Sequence, residues 1–441
     1  MNLLNLKVIR NIFKSQWFPG LLQWPTAFVF AVVVYQLLYG PGSAHVNFGT
    51  AMTWVLWWPI IPLVFLLLGR FWCAICPFAT LSDLVQKWVG LRRPVPVFLK
   101  KYGIWIIDAI FILITWADHV FGIVASPLGS GILLLLIITG VVFSGAFFER
   151  RTWCRYLCFL GGLAGNYSRA GALELRADRD KCSKCRDKYC YKGKDGVPGC
   201  PMFELPGQMD SSAKCNLCGN CVKVCKNNSV TITARVPSKE LWFIKRPRIE
   251  ESFLAIIIMG IVFVQNITML DIWQEAQRFI EGVTGTTSYT VTFTITFIIA
   301  MAVPVLALYL TSLLAGASNK ESALSNFTRF GYALIPLDLA GHLAHNLFHL
   351  LAEGKSVLYT GIALIVPGFK GGSAALVSNE LIQLLQFVLI GLGLAASIYT
   401  AYRISKSSFK SIASSIPYAA LLIILAVVNV YLFTLPMSMR M

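Results

Sequence analysis

Long apolar stretches alternate with short polar segments along the whole 441-residue chain. Stretches of this kind are typical of helices that cross a lipid bilayer. The pattern predicts nine membrane-spanning helices, at about 25–39, 53–68, 104–123, 132–148, 253–270, 289–314, 330–351, 381–402 and 418–435. The expected fold is an all-α polytopic membrane protein with one long polar segment between the fourth and fifth spans.

That polar segment contains eight of the twelve cysteines, all between residues 182 and 225. The second run has the C-x2-C-x2-C-x3-C spacing of bacterial ferredoxins, and a first run of three cysteines precedes it. In that precedent, the fourth cysteine of each run binds the cluster of the other run. We therefore predict two [4Fe–4S] clusters with crossed ligands, the first held by Cys182, Cys185, Cys190 and Cys225 and the second by Cys200, Cys215, Cys218 and Cys221.

Structural zinc and disulfide bonds are two other uses of such cysteines. Zinc sites usually separate two C-x2-C pairs by a longer span, and disulfides need an oxidising compartment. Three cysteines at three-residue steps favour iron–sulfur binding over both alternatives. The uncrossed pairing, in which each run fills its own cluster, also fits the spacing.

The spans and the cysteine segment together predict three domains. Residues 1–148 form an N-terminal four-helix membrane domain, and residues 149–250 form an inserted ferredoxin-like domain with two [4Fe–4S] clusters. Residues 251–441 form a C-terminal membrane domain of five helices.

Charge adds an orientation to this picture. The chain is 56% hydrophobic and only 13% charged, yet its net charge is +17. The predicted loops 69–103, 149–252, 315–329 and 403–414 carry nearly all Lys and Arg, so the positive-inside rule makes them cytoplasmic. We expect a multi-pass protein of the prokaryotic inner membrane whose ferredoxin-like domain faces the cytoplasm. The basic excess suits acidic lipid headgroups or an acidic redox partner, whereas a nucleic-acid partner is not expected for so apolar a chain.

Four further cysteines lie in a repeated motif at the inner ends of two predicted spans. Both copies read Arg-x-Trp-Cys followed by a second cysteine, which gives Cys73 with Cys76 and Cys154 with Cys158. The repeat indicates that the first two spans and the next two form related hairpins. Their thiols could hold a third iron–sulfur cluster, bind copper(I), form a redox-active dithiol pair or simply pack as small apolar groups.

These motifs, together with the cysteine run at 182–225, resemble the membrane polyferredoxins that carry Trp-Cys motifs at span ends. That family includes the quinol dehydrogenase membrane subunit of periplasmic nitrate reduction, the nitrous oxide reductase regulator and the cytochrome oxidase accessory protein. The resemblance implies electron transfer between quinol and a partner redox protein, or redox work in metalloenzyme assembly. The chain departs from the family pattern in having two residues rather than three between Cys73 and Cys76, and Phe159 instead of proline after Cys158.

A polar stripe marks the seventh predicted span. Asp338, His342, His345 and His349 recur at three- and four-residue steps, so they share one helical face. Ionisable residues inside a span usually face a pathway or a cofactor. Haem b ligation, quinol oxidation, a copper or zinc site and hydrogen bonding between helices are all consistent with this stripe. We expect it in the outer half of the membrane.

The leading hypothesis is a quinol-linked oxidoreductase subunit that passes electrons between the quinone pool and a protein redox partner through its clusters. A copper or metal reductase, or an assembly factor for metalloenzymes, is the second hypothesis. A redox-linked transporter or sensor, in which the later spans form the pathway, is the third.

Overall fold

The computed structural model describes residues 2–366, 368–369 and 371–435, so parts of the predicted loop 352–380 and the last six residues lie outside it. The N-terminal portion is helical. Its helices are α1 (Lys7–Lys14), α2 (Gly20–Tyr39), α3 (Phe48–Thr50), α4 (Trp58–Leu68), α5 (Trp72–Ile75), α6 (Pro77–Val89), α7 (Val97–Phe121), α8 (Pro127–Phe147), α9 (Thr152–Tyr156) and α10 (Phe159–Ala170). A π-helical stretch, Ala51–Trp57, joins α3 to α4.

The cysteine segment mixes short helices and strands. It contains β1 (Leu173–Ala177), α11 (Arg179–Ser183), α12 (Tyr189–Lys192), β2 (Gly193–Lys194), β3 (Val197–Pro198), α13 (Asn220–Val224) and β4 (Val230–Ala234). Strands β1 and β4 pair antiparallel from Leu173↔Ala234 to Ala177↔Val230, and β2 pairs with β3. The pairing of β1 with β4 therefore brings the two ends of the cysteine segment together.

The C-terminal portion is again helical. Its helices are α14 (Ile249–Ile267), α15 (Asp271–Thr284), α16 (Tyr289–Asn319), α17 (Ala323–Phe330), α18 (Ile335–Ala352), α19 (Lys355–Ala363), α20 (Asn379–Phe409) and α21 (Ile416–Thr434).

Among the described residues, seven helical segments are long and apolar enough to cross a membrane: Gly20–Tyr39, Phe48–Val89, Pro127–Phe147, Ile249–Ile267, Tyr289–Asn319, Asn379–Phe409 and Ala413–Thr434. The predicted count of nine spans is therefore not confirmed. The other two predicted spans correspond to α7 and α18, which are continuous helices but contain several charged or ionisable side chains. The protein is a mostly helical membrane protein.

By packing, the chain forms two compact units, whereas the three sequence domains remain a prediction. The first unit comprises Met1–Tyr35, Leu63–Ile107 and Gly131–Glu240, and so includes all twelve cysteines. Its cysteine segment has a small apolar core made of Leu4, Leu175, Leu217, Val222, Val230 and Ile232. Ile9 and Phe13 of α1 pack against this core, so the N-terminal helix covers the cysteine segment.

The second unit comprises Gln36–Pro62, Asp108–Ser130 and Leu241–Met441. Helices α14 and α18 run parallel in it, because Ser252 lies against Gly331 near one end and Asn266 contacts His345 near the other. Helix α20 approaches α18 closely at Gly393, where a Cβ atom would lie 2.4 Å from the Cβ of Ala340. Helices α14, α20 and α21 thus pack against α18, the helix that carries the polar stripe.

Candidate functional site

The pairing of β1 with β4 brings the two ends of the cysteine segment together. Asp178, just after β1, donates its N–H to the carbonyl of Ser229, just before β4, at 3.0 Å. Cys182 follows in α11, whose N-terminus is capped by the Asp178 carboxylate. The Sγ atoms of Cys182 and Cys225 each lie 3.4 Å from the hydroxyl oxygen of Ser229. The two sulfurs are therefore at most twice that distance apart.

The remaining thiols of the predicted first set join this pair. Burial and the neighbouring thiols of Cys182, Cys225 and Cys185 raise the pKa of Cys190 to about 11. Lys226 stands where the ferredoxin pattern has proline, and its Nζ contacts the carboxylate of Asp187 at 2.9 Å. This ion pair ties the end of the second cysteine run to the first run.

The other four thiols form a second set. Burial, with the Cys218 and Cys200 thiols, raises the pKa of Cys215 to about 12. Burial and Cys200 likewise raise the pKa of Cys218 to about 11. Cys221 interacts with all three of these thiols, and with Cys190 of the first set. The structure thus brings Cys182 close to Cys225 and gathers Cys200, Cys215, Cys218 and Cys221, with the two groups adjacent, while the crossed ligand assignment stays a prediction.

Four thiols are the donor set that an iron–sulfur cluster takes. Within the described ranges, no three His, Cys, Asp or Glu side chains converge closely enough to ligate one metal ion directly. A [4Fe–4S] cluster takes four thiolates at four different corners, whereas the sulfurs around one tetrahedral zinc ion lie only about 3.8 Å apart. The donor set of each group, four neighbouring thiols, fits a cluster.

The two sets differ in their surroundings. Residues between the cysteines of the second set, including Asn216, Leu217 and Asn220, are buried. The first set lies at the surface, where residues 178–195 and Lys226 contribute seven exposed Lys or Arg against three exposed Asp. The first set is therefore the one that a charged partner can approach.

The repeated motif folds in the same way in both copies. Cys73 lies in the short helix α5 and Cys154 in the short helix α9. Cys76 and Cys158 each stand immediately before the next helix, α6 or α10, as its N-terminal cap residue. The extra residue in the second copy is accommodated at Leu157, between α9 and Cys158. The two cysteine pairs therefore take the same positions relative to their helices, although two residues separate one pair and three separate the other.

The four motif thiols come together. Burial, with the Cys158 and Cys73 thiols, raises the pKa of Cys154 to about 12, although Arg151 opposes this shift. Burial, with the thiols of Cys76 and Cys73, raises the pKa of Cys158 to about 12. Each hairpin therefore contributes two sulfurs to a third thiol set.

The arginine of each motif donates a hydrogen bond to the other motif. Arg70 donates to the carbonyl oxygen of Cys154 at 3.2 Å, and Arg151 donates to that of Cys73 at 2.9 Å. Burial disfavours the Arg151 charge, but the Asp83 carboxylate, 2.6 Å away, outweighs it and raises the pKa of Arg151. Sequence reasoning missed Asp83, because nothing in its context distinguishes it from a surface acid.

Arg70 also connects the third thiol set with the second. Its Nε lies 3.4 Å from Cys73 Sγ, and its Nη1 donates to the Ala213 carbonyl at 2.6 Å, two residues before Cys215. Phe71, the next residue in the motif, packs against the same apolar core as Cys215 and Cys221. The three thiol sets are thus consecutive within the first unit.

The polar stripe belongs to the second unit, and all its members are buried. His345 Nδ1 lies 2.7 Å from Asn266 Oδ1, and the His342 ring lies 5.7 Å from the ring of Trp58. Asp338 is one turn from the start of α18 and His349 lies near its end, whereas the expected position of the stripe in the outer half of the membrane stays a prediction. The helix starts at Ile335, after a 3-10 turn, rather than at 330.

Comparison with known proteins matches two segments of the chain, residues 50–96 and 131–176, to the same family, described as a 4Fe-4S binding domain. Each match contains one Trp-Cys motif, in agreement with the predicted repeat. The ferredoxin-type protein NapH of Escherichia coli is 33% identical over 109 residues, which are 24% of this chain and 37% of NapH.

Two other relatives match longer stretches. The uncharacterised protein MJ0749 of Methanocaldococcus jannaschii is 26% identical over 244 residues, 53% of this chain and 90% of MJ0749. YccM of Escherichia coli, named as a candidate electron transport protein, is 23% identical over 226 residues, 46% of this chain and 60% of YccM. No solved structure matches the chain. In its repeated Trp-Cys motifs and its cysteine run, the chain is similar to the membrane polyferredoxins, a family of iron–sulfur electron-transfer proteins.

Proposed function

We propose that the chain passes electrons between the quinone pool and a protein redox partner, as a quinol-linked oxidoreductase subunit. The observation that carries this proposal is the succession of three thiol sets within one packing unit, with Arg70 and Phe71 between the third and the second. A bound [4Fe–4S] cluster supplies a group that accepts and releases one electron. Cys182, Cys185, Cys190 and Cys225 would hold one cluster, and Cys200, Cys215, Cys218 and Cys221 the other.

Hydrogen bonds to the cysteine sulfurs would adjust the reduction potential of a cluster held by the first thiol set. Burial opposes ionisation of Cys225, but the hydroxyl and N–H of Ser229 outweigh it and lower its pKa. The same hydroxyl lies 3.4 Å from Cys182 Sγ. Donors to cluster sulfurs raise the reduction potential by stabilising added negative charge. Ser229 is a positioning residue that sequence reasoning missed, although it is only the fourth residue after Cys225, the last cysteine of the run.

The cationic surface around the first set is the proposed docking site of the redox partner. Its exposed residues are Arg179, Lys181, Lys184, Arg186, Lys188, Lys192 and Lys226. Complementary charge speeds encounter and orients the partner, so an acidic protein fits this surface. By the positive-inside rule, the same charge supports a cytoplasmic position for the cysteine segment in the prokaryotic inner membrane.

The third thiol set, Cys73, Cys76, Cys154 and Cys158, is proposed to hold a further iron–sulfur cluster. Four buried thiols from two related hairpins supply the ligands that such a cluster needs. Copper(I) also prefers thiolates, and these buried sulfurs favour copper reduction or metalloenzyme assembly as the second candidate function.

Asp338, His342, His345 and His349 are proposed to receive the protons released by quinol oxidation, since imidazole and carboxylate groups are suitable proton acceptors. The buried imidazoles of His342, His345 and His349 are also the candidate axial ligands of haem b.

Metal analysis of protein purified anaerobically in detergent tests these assignments. About eight irons and eight sulfides per chain are expected from the first two sets, and about twelve of each if the third set also holds a cluster. Copper in place of the last four irons would favour the second candidate function, and a Soret band would assign the histidines to haem. Zinc without iron would overturn the proposal.

A further inference from the structure

We propose that a groove between α20 and the start of α21 binds one acidic phospholipid, with an acyl chain along the groove and the phosphate against Arg403 and Lys406. This inference concerns a second kind of ligand, and it depends on neither the cluster assignments nor the quinol site.

The groove is an apolar cleft in the second unit. It has a volume of about 530 Å³, and its lining includes Tyr399 of α20 with Ile416 and Ala419 of α21. Ligand pockets in proteins commonly have volumes of about 300–1,000 Å³. The hydroxyl of Ser415, which also lines the groove, already donates to the Ile412 carbonyl at 2.6 Å. The groove therefore suits a hydrocarbon chain better than a polar solute.

Two cations stand beside the two tyrosines that line the groove. Arg403 donates to the Tyr399 hydroxyl at 3.0 Å, and Lys406 donates to the Tyr402 hydroxyl at 3.2 Å. Neither cation forms an ion pair with Asp or Glu within the described part of the chain. Two neighbouring positive charges without acidic partners can bind the phosphate of a lipid head group.

Aromatic rings fix the position of Arg403. Its guanidinium carbon lies 4.9 Å from the ring centre of Trp242, 4.8 Å from that of Phe243 and 5.7 Å from that of Tyr399. The rings of Trp242 and Tyr399 also contact each other, with their centres 5.0 Å apart. Cation–π contacts of this kind hold the guanidinium in place, and its planar set of N–H donors matches the geometry of a phosphate.

Helix length places the two cations at the level of the lipid head groups. Helix α20 has 31 residues and is about 46 Å long, whereas the hydrocarbon core of a bilayer is about 30 Å thick. From Asn379, where the helix begins, to Tyr399 the rise is about 30 Å. Tyrosine is enriched at this level, and Arg and Lys side chains extend from it into the head groups. The α20 residues of the groove precede Arg403, so an acyl chain in the groove runs back towards the bilayer centre.

Charge selects an acidic phospholipid among the amphipathic molecules of a membrane. A quinone head group is uncharged and would leave both cations without a partner. A zwitterionic lipid brings a cation of its own next to Arg403 and Lys406. Acidic lipid head groups, by contrast, attract clustered Lys and Arg at the membrane surface, and basic pockets between membrane helices bind them.

Native mass spectrometry of the full-length protein in detergent tests this inference. The protein is mixed with equal amounts of phosphatidylglycerol and phosphatidylcholine that carry the same acyl chains. The natural protein should retain one phosphatidylglycerol in preference to phosphatidylcholine. The double variant Arg403→Gln and Lys406→Gln should lower this preference roughly tenfold. The double variant Arg92→Gln and Lys100→Gln, at exposed positions of the first unit, changes the net charge equally and should keep the preference.

A second pair of variants tests the groove itself. Ala419→Phe fills the groove and leaves both cations in place, so it should also reduce retention of phosphatidylglycerol. Ala420→Phe, at the next position and outside the groove lining, is its control. If the double variant of the cations does not fold, Lys406→Gln alone, at an exposed lysine, decides the question by a smaller loss of preference.

Three results would each overturn the inference. The natural protein could retain the two lipids equally, or the two charge variants could keep the same preference, which would show attraction to net charge alone. Undiminished retention in Ala419→Phe would show that the groove does not hold the lipid. None of these measurements involves electron transfer, so failure here is distinct from failure of the proposed function.

Discussion

The guanidinium of Arg70, in the first Trp-Cys motif, donates a 3.2 Å hydrogen bond to the carbonyl oxygen of Cys154, in the second. Arg151, in the second motif, donates a 2.9 Å hydrogen bond to the carbonyl oxygen of Cys73, in the first. Each hairpin therefore positions the first cysteine of the other, and the two motifs act as one site. This reciprocity gives a physical reason for the arginine in both copies.

Replacing Arg151 with alanine should destabilise the first unit. The variant loses the bond to the Cys73 carbonyl and the bidentate contact with Asp83, whose side chain is 43% exposed and so recovers hydration. We expect a loss of about 1–3 kcal/mol, measured as a lower midpoint of thermal unfolding in detergent. Lys181→Ala, which breaks a 3.7 Å pair with Asp178 between exposed side chains, is the control and should cost less. Equal midpoints for the two variants would contradict the exchanged-arginine account.

Gly140→Ala should disturb the third thiol set selectively. A Cβ at Gly140 would lie 2.4 Å from the ring of Trp153, which precedes Cys154. The ring must shift, and overpacking of this kind costs about 1–3 kcal/mol. We expect loss of the metal bound at the third set, measured by metal content and paramagnetic resonance, while the other two clusters remain. Gly391→Ala, where a Cβ meets no atom within 4 Å, should behave like the natural protein.

Sequence patterns identified the thiols but could not place them. The crossed grouping depends on pairing of β1 with β4, two five-residue strands more than fifty residues apart, whose register no local pattern specifies. The different spacing in the two Trp-Cys motifs is absorbed by one residue, Leu157, after a short helix. The count of nine spans is not confirmed, because α7 and α18 carry ionisable groups and are not among the seven segments, within the described residues, that are apolar enough to cross a membrane.

The crossed pairing predicts which substitutions share a phenotype. Cys225→Ser should weaken or remove the same paramagnetic resonance signal as Cys182→Ser, because both sulfurs adjoin Ser229. Cys200→Ser and Cys215→Ser should instead affect the other cluster. Spectra of the four variants, reduced stepwise with dithionite, check this. If Cys225→Ser and Cys215→Ser altered one signal and Cys182→Ser and Cys200→Ser the other, the uncrossed pairing would be correct.

Charge reversal on the cationic surface should slow reduction of an acidic acceptor. The double variant Lys184→Glu and Arg186→Glu changes two exposed residues beside Cys185. With an acidic ferredoxin as the acceptor, we expect a rate about tenfold lower at low salt, and a smaller difference at high salt. The double variant Lys320→Glu and Lys410→Glu, at exposed lysines after α16 and α20, changes the net charge equally and is the control. A rate independent of salt in the natural protein would argue against this docking surface.

Quinol addition tests the central claim most directly. Natural protein, oxidised and embedded in lipid nanodiscs under anaerobic conditions, is mixed with a reduced short-chain quinol or, in a second sample, with dithionite. The account predicts that quinol produces part of the cluster reduction that dithionite produces, seen as bleaching of the iron–sulfur absorbance and as the matching paramagnetic resonance signals. Two results together would contradict electron transfer with the quinone pool. Quinol would leave oxidised the clusters that dithionite reduces, and electrons from a reduced acidic partner would not reach quinone through the protein.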